Sequence, residues 1–378
     1  MNRVANPHTT IKRNVMQKLK LVSLFSGGGG LDIGLDAAGF ETLFANDIVP
    51  QCCETLKHNL PPKAVVRCQD IQTLSAEEIR KDIGLKDEET IDVLAGGPPC
   101  QAFSIFGQRK GTADPRGKMV YEYFRILANL KPSVFVFENV FGLLTVEGGN
   151  VFKLVCEKLS HPSDNLDYNI KVFRLNAVDY GVPQYRDRVI IIGSRTGRNV
   201  DEIPQVTFAN PQGGQLAYRT VADALRGLPE PNTEFPGNHT GRVHSQQIIE
   251  RYANTLPGAR DVHTRINKLD LAQPSFTIIC GSNCGGGKGH IHPIVPREVT
   301  PRESARIQTF PDNWTFSSKG RYVISQVGNA VPPVLAFAIG NAVRSQIFGL
   351  RSVPFRQGLV KMGQQHLFPE LFEGNQNG

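Results

Sequence analysis

The sequence predicts an α/β protein with a mostly parallel, doubly wound sheet and a second, smaller and irregular domain. Three observations lead to this fold class. Short apolar runs alternate with helix-like segments through the first 195 residues or so, which is typical of repeated β-α-β units. A run of four glycines separates the first apolar run from the first helical segment. After that point the alternation stops, and glycine, proline, asparagine and threonine become frequent.

Six apolar runs in the first half have the length and composition of strands. They are residues 20–25, 41–45, 64–68, 91–95, 132–139 and 188–194. Helical spacing of apolar residues is seen at 31–39 and at 119–130, the second stopping before Lys131 and Pro132. A further β/α pattern resumes at 300–310, and 331–348 is predicted to be a helix that returns to the first domain.

These patterns divide the chain into five parts. We expect a basic tail at 1–16, the large α/β domain at 17–195 and the irregular domain at 196–296. Residues 297–348 would return to the first domain and end in the closing helix, and 349–378 would form a C-terminal tail.

Composition excludes several classes of protein. With 40% hydrophobic residues, the 378-residue chain can bury a core and is not disordered. No apolar run approaches the length of a membrane span, and the N-terminus lacks the pattern of a signal peptide. The net charge is +7, with five basic and no acidic side chains in residues 1–20. A polyanionic partner is therefore plausible.

The seven cysteines form no CxxC pair, which argues against disulfides and structural zinc and favours the reducing cytoplasm. The one metal-like cluster contains Cys280, Cys284, His290 and His292, but its spacing matches no usual ligand pattern, so we predict no metal. Trp314 is predicted to serve packing, and Cys52, Cys53, Cys68 and Cys156 are predicted to be core or surface residues without chemistry.

The glycine loop, in LFSGGGGLDIG (24–34), lies between a strand and a helix, where backbone N–H groups can receive an adenine nucleoside cofactor. Asp47 follows the second strand and is placed to accept hydrogen bonds from ribose hydroxyls. The loop fits NAD about as well as S-adenosylmethionine. Asp32 stands where the third glycine of an NAD-binding fingerprint would lie, close to the pyrophosphate of NAD. Because an acidic side chain there would repel the pyrophosphate, Asp32 favours a cofactor without phosphates.

A cysteine and a glutamate follow two other strands. Cys100 lies in GGPPCQ, where two prolines stiffen the turn, and Glu138 lies in FENV. Because the carboxyl ends of parallel strands form the ligand crevice, both should face the glycine loop. Arg186 and Arg188 are two apart, and so on one side of an extended segment. They begin their strand, so we expect the preceding loop to fold over the crevice.

These groups together suit methylation of carbon 5 of cytosine, a carbon too weakly nucleophilic to react unaided. A thiolate adding to carbon 6, with a proton or hydrogen bond at ring N3, makes carbon 5 nucleophilic. Cys100 would be the nucleophile and Glu138 the group at N3. A free thiol with a pKa of about 8.5 is only about 3% ionised at pH 7. Arg186 and Arg188 would favour its thiolate and orient the base or its phosphate.

Eight segments, in order along nearly the whole chain, resemble the motif set of the DNA (cytosine-5) methyltransferases. They are FSGGG (25–29), ND (46–47), DI (70–71), PPCQ (98–101), ENV (138–140), QYRDR (184–188), RESARIQTFPD (302–312) and QVGNAVPP (326–333). The resemblance implies the S-adenosylmethionine-dependent methyltransferase fold, with 17–195 as catalytic and cofactor-binding domain and 196–296 as target-recognition domain. One departure is Ile48, where some members have a tryptophan stacked on adenine.

The resemblance also implies S-adenosyl-L-methionine as cofactor and names the residues of the site. The implied cofactor-binding residues are Phe25, Ser26, Gly27, Gly29, Gly30, Leu31, Asp47, Ile48, Asp70, Ile71, Pro98, Asn329 and Val331. The implied DNA contacts are Gln101, Ser104 and Arg116. They lie on a segment from Gln101 to about Lys118 that would close over DNA after the cytosine flips out.

The sequence therefore predicts a monomeric, cytoplasmic enzyme that methylates one cytosine within a short duplex DNA sequence, as the modification partner of a restriction endonuclease. Three alternatives remain open at this stage. They are an RNA (tRNA) methyltransferase with the same core, a DNA-binding protein whose chemistry has decayed, and an NAD oxidoreductase.

Overall fold

The structure is a computed structural model and describes residues 18–86, 88–99, 118–281, 286–317 and 321–373. A seven-stranded sheet has the order β3-β2-β1-β4-β5-β7-β6. Its strands are β1 (Leu19–Leu24), β2 (Phe40–Asp47), β3 (Val65–Cys68), β4 (Val93–Gly96), β5 (Val134–Val140), β6 (Asn169–Asn176) and β7 (Asp187–Ser194). β7 pairs antiparallel with both β5 and β6, while the pairs from β3 to β5 are parallel. The predicted mostly parallel sheet is confirmed.

Helices cover both faces of this sheet. They are α1 (Gly30–Ala37), α2 (Pro50–Asn59), α3 (Ala76–Asp82), α4 (Lys118–Leu130), α5 (Asn150–Ser160), α8 (Pro301–Ile307), α9 (Arg321–Asn329), α10 (Pro333–Ala342) and α11 (Phe355–Lys361). On β5, Val134 and Val136 join the core on the side of α1 and α10. Phe135 and Phe137 join the core on the side of α4 and α5. Side chains that alternate between two covered faces define a doubly wound sheet.

The 196–296 region has little regular structure, as the sequence predicts. It holds a two-residue parallel pair, β8 (Thr207–Phe208) with β9 (Leu216–Ala217), and an antiparallel pair, β10 (Ile279–Gly281) with β11 (Gly286–Lys288). Two helices, α6 (Val221–Leu225) and α7 (Gln246–Asn254), complete it. Tyr252, Ile266 and Ile291 form a small core of their own. The division of the chain into domains stays a prediction.

Short turns of other helix types connect these elements. The 3₁₀ helices are Ile71–Thr73, Phe141–Leu144, Val146–Gly149, Ala177–Tyr180, Gln365–Leu367 and Pro369–Leu371, and a π-helix at Val343–Ile347 continues α10. The predicted closing helix thus begins two residues later than expected, at Pro333. By length and composition the stretch Tyr322–Ile347 could cross a membrane, but 83% of its most apolar window is buried inside the fold.

Two features of the fold differ from the prediction. Strand β6 was not predicted, because it is an edge strand in which lysine, arginine and asparagine interrupt the apolar residues. The C-terminal tail is also a correction, since residues 355–373 are folded onto the protein. Leu359, Leu367 and Phe368 are fully buried, and the Arg219 guanidinium lies 4.5 Å from the centre of the Phe368 ring. Apolar residues spaced along this segment pack against the core, so it is not a solvated tail.

Candidate active site

The loop that leads to Cys100 lies against the end of β5. Strand β4 ends at Gly96, and a methyl group on the next residue, Gly97, would lie 2.5 Å from Oε2 of Glu138. The Asn139 side chain donates a hydrogen bond of 3.2 Å to the carbonyl of Pro98. Cys100 itself lies outside the described residues. The sequence prediction that the thiol loop and Glu138 share one end of the sheet is consistent with these contacts.

Glu138 forms an ion pair with Arg188. Oε1 of Glu138 lies 2.7 Å from Nε of Arg188, and each side chain is about 10% exposed. Arg188 also donates a hydrogen bond of 2.8 Å to the carbonyl of Asp187. Charges that are shielded from water interact more strongly than the same charges at the surface, so this ion pair favours a position of the Glu138 carboxyl group beside Arg188.

The direction of β7 brings Arg188 to this site. Because β7 runs antiparallel to β5, Arg188 at its start pairs with Val140 at the end of β5. The expectation that a preceding loop must fold over the crevice is therefore wrong. The reversed strand places its first residues at the same edge where the parallel strands end.

Arg186 has a different environment. Its side chain is 1% exposed, and its guanidinium donates hydrogen bonds to the carbonyls of Gly328 at 2.5 Å, Ala330 at 3.0 Å and Ile278 at 3.4 Å. These contacts join the start of β7 to the segment after α9 and to the end of the 196–296 region. A direct contact between Arg186 and a base stays a prediction.

The glycine loop joins β1 to α1 through residues with left-handed backbone. Phe25, Gly27 and Gly29 have φ of 53°, 54° and 83°, a region that glycine adopts at little cost. The Ser26 N–H donates to the Asn46 carbonyl at 3.0 Å. The Gly27 N–H donates to Oδ2 of Asp47 at 2.8 Å. The loop is thus fastened to the end of β2.

Asp47 and Ile48 are the residues predicted to contact the ribose and the adenine of the cofactor. Besides Gly27, Asp47 accepts a hydrogen bond of 2.9 Å from the Val49 N–H, and burial raises the pKa of Asp47. A carboxylate has about four acceptor positions, so these backbone donors do not occupy all of them. Ile48 is 61% exposed, which leaves its side chain free to contact a ring.

Asp32 faces the interior rather than the ligand side of the loop. It is 1% exposed and accepts hydrogen bonds from Ser23 on β1 at 3.1 Å and from Thr42 on β2 at 3.2 Å. Burial raises the pKa of Asp32 to about 6. The use of Asp32 as an argument against a phosphate-containing cofactor is therefore corrected, because its carboxylate points under α1 towards the sheet.

The other predicted cofactor residues lie around the same end of the sheet. Asp70 caps a 3₁₀ turn by accepting from the Gln72 N–H at 3.0 Å, and Ile71 is buried. A methyl group on Gly30 would lie 2.2 Å from the Val331 carbonyl. The start of α1 therefore touches the closing motif, whose Asn329 side chain is exposed. Binding of a cofactor by these residues, and by Leu31 and Pro98, stays a prediction.

Two residues beside the glycine loop were not predicted for the site. A methyl group on Gly28 would lie 3.2 Å from Cβ of Gln326, whose side-chain amide is buried and has no hydrogen-bond partner among the described residues. The indole N–H of Trp314 donates to the Gly28 carbonyl at 3.0 Å. Both residues lie inside or beside quoted motifs, but no spacing rule links them to a loop some 300 residues earlier.

His290 of the metal-like cluster and three of the other cysteines are at least partly shielded from water. Burial lowers the pKa of His290 to about 4, and His290 contacts the Phe276 carbonyl at 3.2 Å. Among the described residues no group of three or more metal-binding side chains is found. Burial raises the pKa of Cys52, Cys53 and Cys156. The predicted DNA contacts Gln101, Ser104 and Arg116 lie outside the described residues, as does Cys284.

Known proteins resemble this chain over most of its length. The sequence profile of the C-5 cytosine-specific DNA methylases matches residues 19–345. The Type II methyltransferase M1.HphI of Haemophilus parahaemolyticus is 34% identical over 86% of each chain. M.XorII of Xanthomonas oryzae pv. oryzae, also a Type II methyltransferase, is 32% identical over 92% of this chain and 89% of its own.

Solved structures agree in fold. One is an E. coli prophage protein described as a DNA modification methyltransferase. It has a TM-score of 0.71, 28% identity and coverage of 87% of this chain and 99% of its own. The S. pombe Dnmt2 methyltransferase has a TM-score of 0.61 at 18% identity over 87% of this chain and 99% of its own, a likeness of fold alone. The chain therefore belongs to the C-5 cytosine-specific DNA methylase family and is a DNA cytosine-5 methyltransferase.

Proposed function

We propose that the chain methylates one cytosine within a short duplex DNA sequence, with S-adenosyl-L-methionine as the methyl donor and Cys100 as the covalent nucleophile. The observation that carries this proposal is the shielded Glu138–Arg188 ion pair at 2.7 Å, lying directly against Gly97 in the loop that leads to Cys100. A carboxyl group and a thiol at one strand end are the two groups that this chemistry requires.

The residues of the glycine loop fit the proposed cofactor. Left-handed backbone at Gly27 and Gly29 lets a ligand approach the main chain closely. Asp47 retains acceptor positions for hydroxyl groups, and the exposed Ile48 side chain offers an apolar surface beside them. The Gln326 amide, which has no hydrogen-bond partner within the described part of the chain, supplies a donor and an acceptor next to Gly28. When bound, S-adenosylmethionine supplies an electrophilic methyl group on a sulfonium centre.

Each protein group has a distinct role in the proposed reaction. The Cys100 thiolate would form a bond to carbon 6 of the flipped cytosine, while a proton taken up from solvent would be shared between the Glu138 carboxyl group and ring N3. Electron density would then accumulate at carbon 5, and the new bond between carbon 5 and the methyl group would replace the bond between that methyl group and the sulfonium sulfur. Transfer of the carbon 5 proton to water and breakage of the bond between carbon 6 and the Cys100 sulfur would release the thiolate and restore the aromatic ring.

The two arginines position this machinery. Arg188 fixes the Glu138 carboxyl group through their ion pair and contributes positive charge near the strand end. Arg186 joins the same strand to the Gly328 and Ala330 carbonyls, which supports a role in holding the closing motif against the active site. We infer that residues 101–118 close over DNA and that residues 196–296 read its sequence.

The biological setting is inferred from the relatives. Several proteins that are about one-third identical over most of this chain carry the name Type II methyltransferase. We propose that this chain likewise protects DNA from a partner restriction endonuclease and works in the cytoplasm as a monomer.

Two experiments test the proposal. A duplex containing 5-fluorocytosine at the target position should trap a covalent complex with the full-length chain, because fluorine cannot leave as a proton does. The Cys100→Ser variant should trap none, whereas Cys68→Ser, which alters an exposed cysteine, should trap as well as wild type. Absence of a trapped species with wild type would contradict the mechanism.

The target sequence needed for that duplex comes from bisulfite sequencing of a plasmid from cells that express the protein. Methyl transfer to duplex DNA and to tRNA, measured side by side with tritiated cofactor, should favour DNA. Transfer to tRNA alone would replace the proposed substrate with RNA.

A further inference from the structure

Trp314 is the single tryptophan of the chain, and it contacts the glycine loop. Its side chain is 9% exposed, and its indole N–H donates a hydrogen bond of 3.0 Å to the Gly28 carbonyl. The sequence predicts only packing for this residue. The hydrogen bond gives it a directed contact with the loop proposed to bind the cofactor.

The indole ring also fits closely against the next glycine. A methyl group on Gly29 would lie 2.6 Å from Cζ2 of Trp314, and Gly29 has φ of 83°. Only glycine is compatible with both the ring and this backbone conformation. On its other side the loop is held by the Gly27 N–H bond to Asp47. The conformation of the glycine loop is thus held by Trp314 on one side and by Asp47 on the other.

Trp314 is itself held by buried hydrogen bonds. Arg302 is fully buried and donates to the Trp314 carbonyl and to the Gly237 carbonyl, each at 2.8 Å. The next residue, Thr315, exchanges two hydrogen bonds with the Asn59 side chain, of 2.7 and 3.0 Å. The indole is therefore fixed relative to α2 and to residue 237 of the predicted recognition domain.

We propose that Trp314 is a positioning residue for the cofactor, holding Gly28 and Gly29 in the conformation that receives the ligand. Arg302 connects this contact to the 196–296 region. The proposal rests on the proposed use of S-adenosylmethionine at this loop. Fixing a binding loop in advance reduces the conformational entropy lost on binding, so the effect appears in affinity and not in the chemical step.

The test is Trp314→Phe, which keeps an aromatic ring and removes the N–H donor. Loss of one hydrogen bond predicts a Kd for S-adenosylhomocysteine, measured by calorimetry, that rises about five- to tenfold. The kcat at saturating cofactor should stay within about twofold of wild type. Phe368→Leu is the matched control, because Phe368 is a fully buried aromatic residue in the C-terminal segment.

A purely structural role makes a different prediction. In that case both variants lower the melting temperature and neither changes the Kd, and this outcome would overturn the proposal. If wild type bound no S-adenosylhomocysteine at all, the cofactor assignment itself would fail, so the two failures can be told apart.

A second measurement needs no variant. Because Trp314 is the only tryptophan, the indole emission of wild type should change saturably as S-adenosylhomocysteine is added, with the same Kd as calorimetry. Calorimetric binding with no change in emission would count against contact between the indole and the occupied loop.

Discussion

Glu138 and Arg188 face each other across two antiparallel strands, with Oε1 and Nε 2.7 Å apart and only about 10% of each side chain exposed. Beside them runs the loop that ends at Cys100, close enough that Gly97 leaves no space for a methyl group. The geometry of the site therefore depends on the antiparallel pairing of β5 with β7 and on Gly97, as well as on the reacting groups.

Glu138→Gln should slow methyl transfer by about 100-fold or more, because an amide cannot transfer a proton to ring N3. Cofactor affinity should change less than about twofold, since Glu138 lies outside the glycine loop. Single-turnover transfer and calorimetry with S-adenosylhomocysteine measure the two quantities. Asp187→Asn, which neutralises an exposed neighbour on β7, is the control. A large loss of cofactor affinity in Glu138→Gln would show that this residue is misassigned.

Cys100→Ser should abolish methyl transfer while duplex binding stays within about tenfold of wild type. Binding comes mainly from phosphate and groove contacts, which this substitution leaves intact. Gel-shift titration at fixed salt and tritium transfer measure the two effects. Substantial residual transfer would refute the nucleophile.

Gly97→Ala should reduce transfer at least tenfold, because the added methyl group would lie 2.5 Å from Oε2 of Glu138 and displace the carboxyl group. Gly142→Ala is a matched control, since a methyl group there meets nothing within 4 Å. Steady-state rates at saturating cofactor and DNA provide the comparison. Equal rates for both variants would mean that Glu138 need not keep the position described.

Asp32→Asn should change the pH dependence of stability. Burial raises the pKa of Asp32 from its ordinary 3.8 to about 6, so the folded state holds this proton more tightly than the unfolded state. The resulting stabilisation is complete below about pH 4 and is lost as the pH rises through 6. Wild type should lose up to about 3 kcal/mol relative to Asp32→Asn over this window.

Urea unfolding between pH 4.5 and 7.5 measures this difference. The control is Asp164→Asn, at an exposed carboxyl group. Parallel pH profiles for wild type and Asp32→Asn would show that the carboxyl group is not buried as described.

Phe368→Ala should destabilise the protein by about 3–5 kcal/mol, the usual cost of removing a buried phenyl ring. Phe368 is fully buried and packs edge-to-face on Phe355, with ring centres 5.1 Å apart. Val360→Ala, at a side chain that is 52% exposed, should cost less than about 0.5 kcal/mol. Denaturant unfolding measures both values. Similar small losses in the two variants would show that the C-terminal segment does not pack against the core as described.

The sequence by itself determined the fold class, six of the seven strands of the large sheet, and the position of the glycine loop, the thiol loop and Glu138 at the carboxyl ends of strands. These features are local, because apolar periodicity, glycine and proline act within a few residues of where they stand. The motif order likewise fixed the family to which the chain belongs. No structural information was needed to predict that Glu138 lies near the carboxyl end of its strand.

Only the tertiary structure decided how distant segments meet. The reversal of β7 places Arg188 beside Glu138, and the Trp314–Gly28 hydrogen bond joins residues 286 positions apart. The Arg219–Phe368 contact fixes the C-terminal segment in the same way. Such contacts depend on strand direction and on the packing of whole elements. Both are set by the free energy of the complete fold, and no local sequence pattern encodes them.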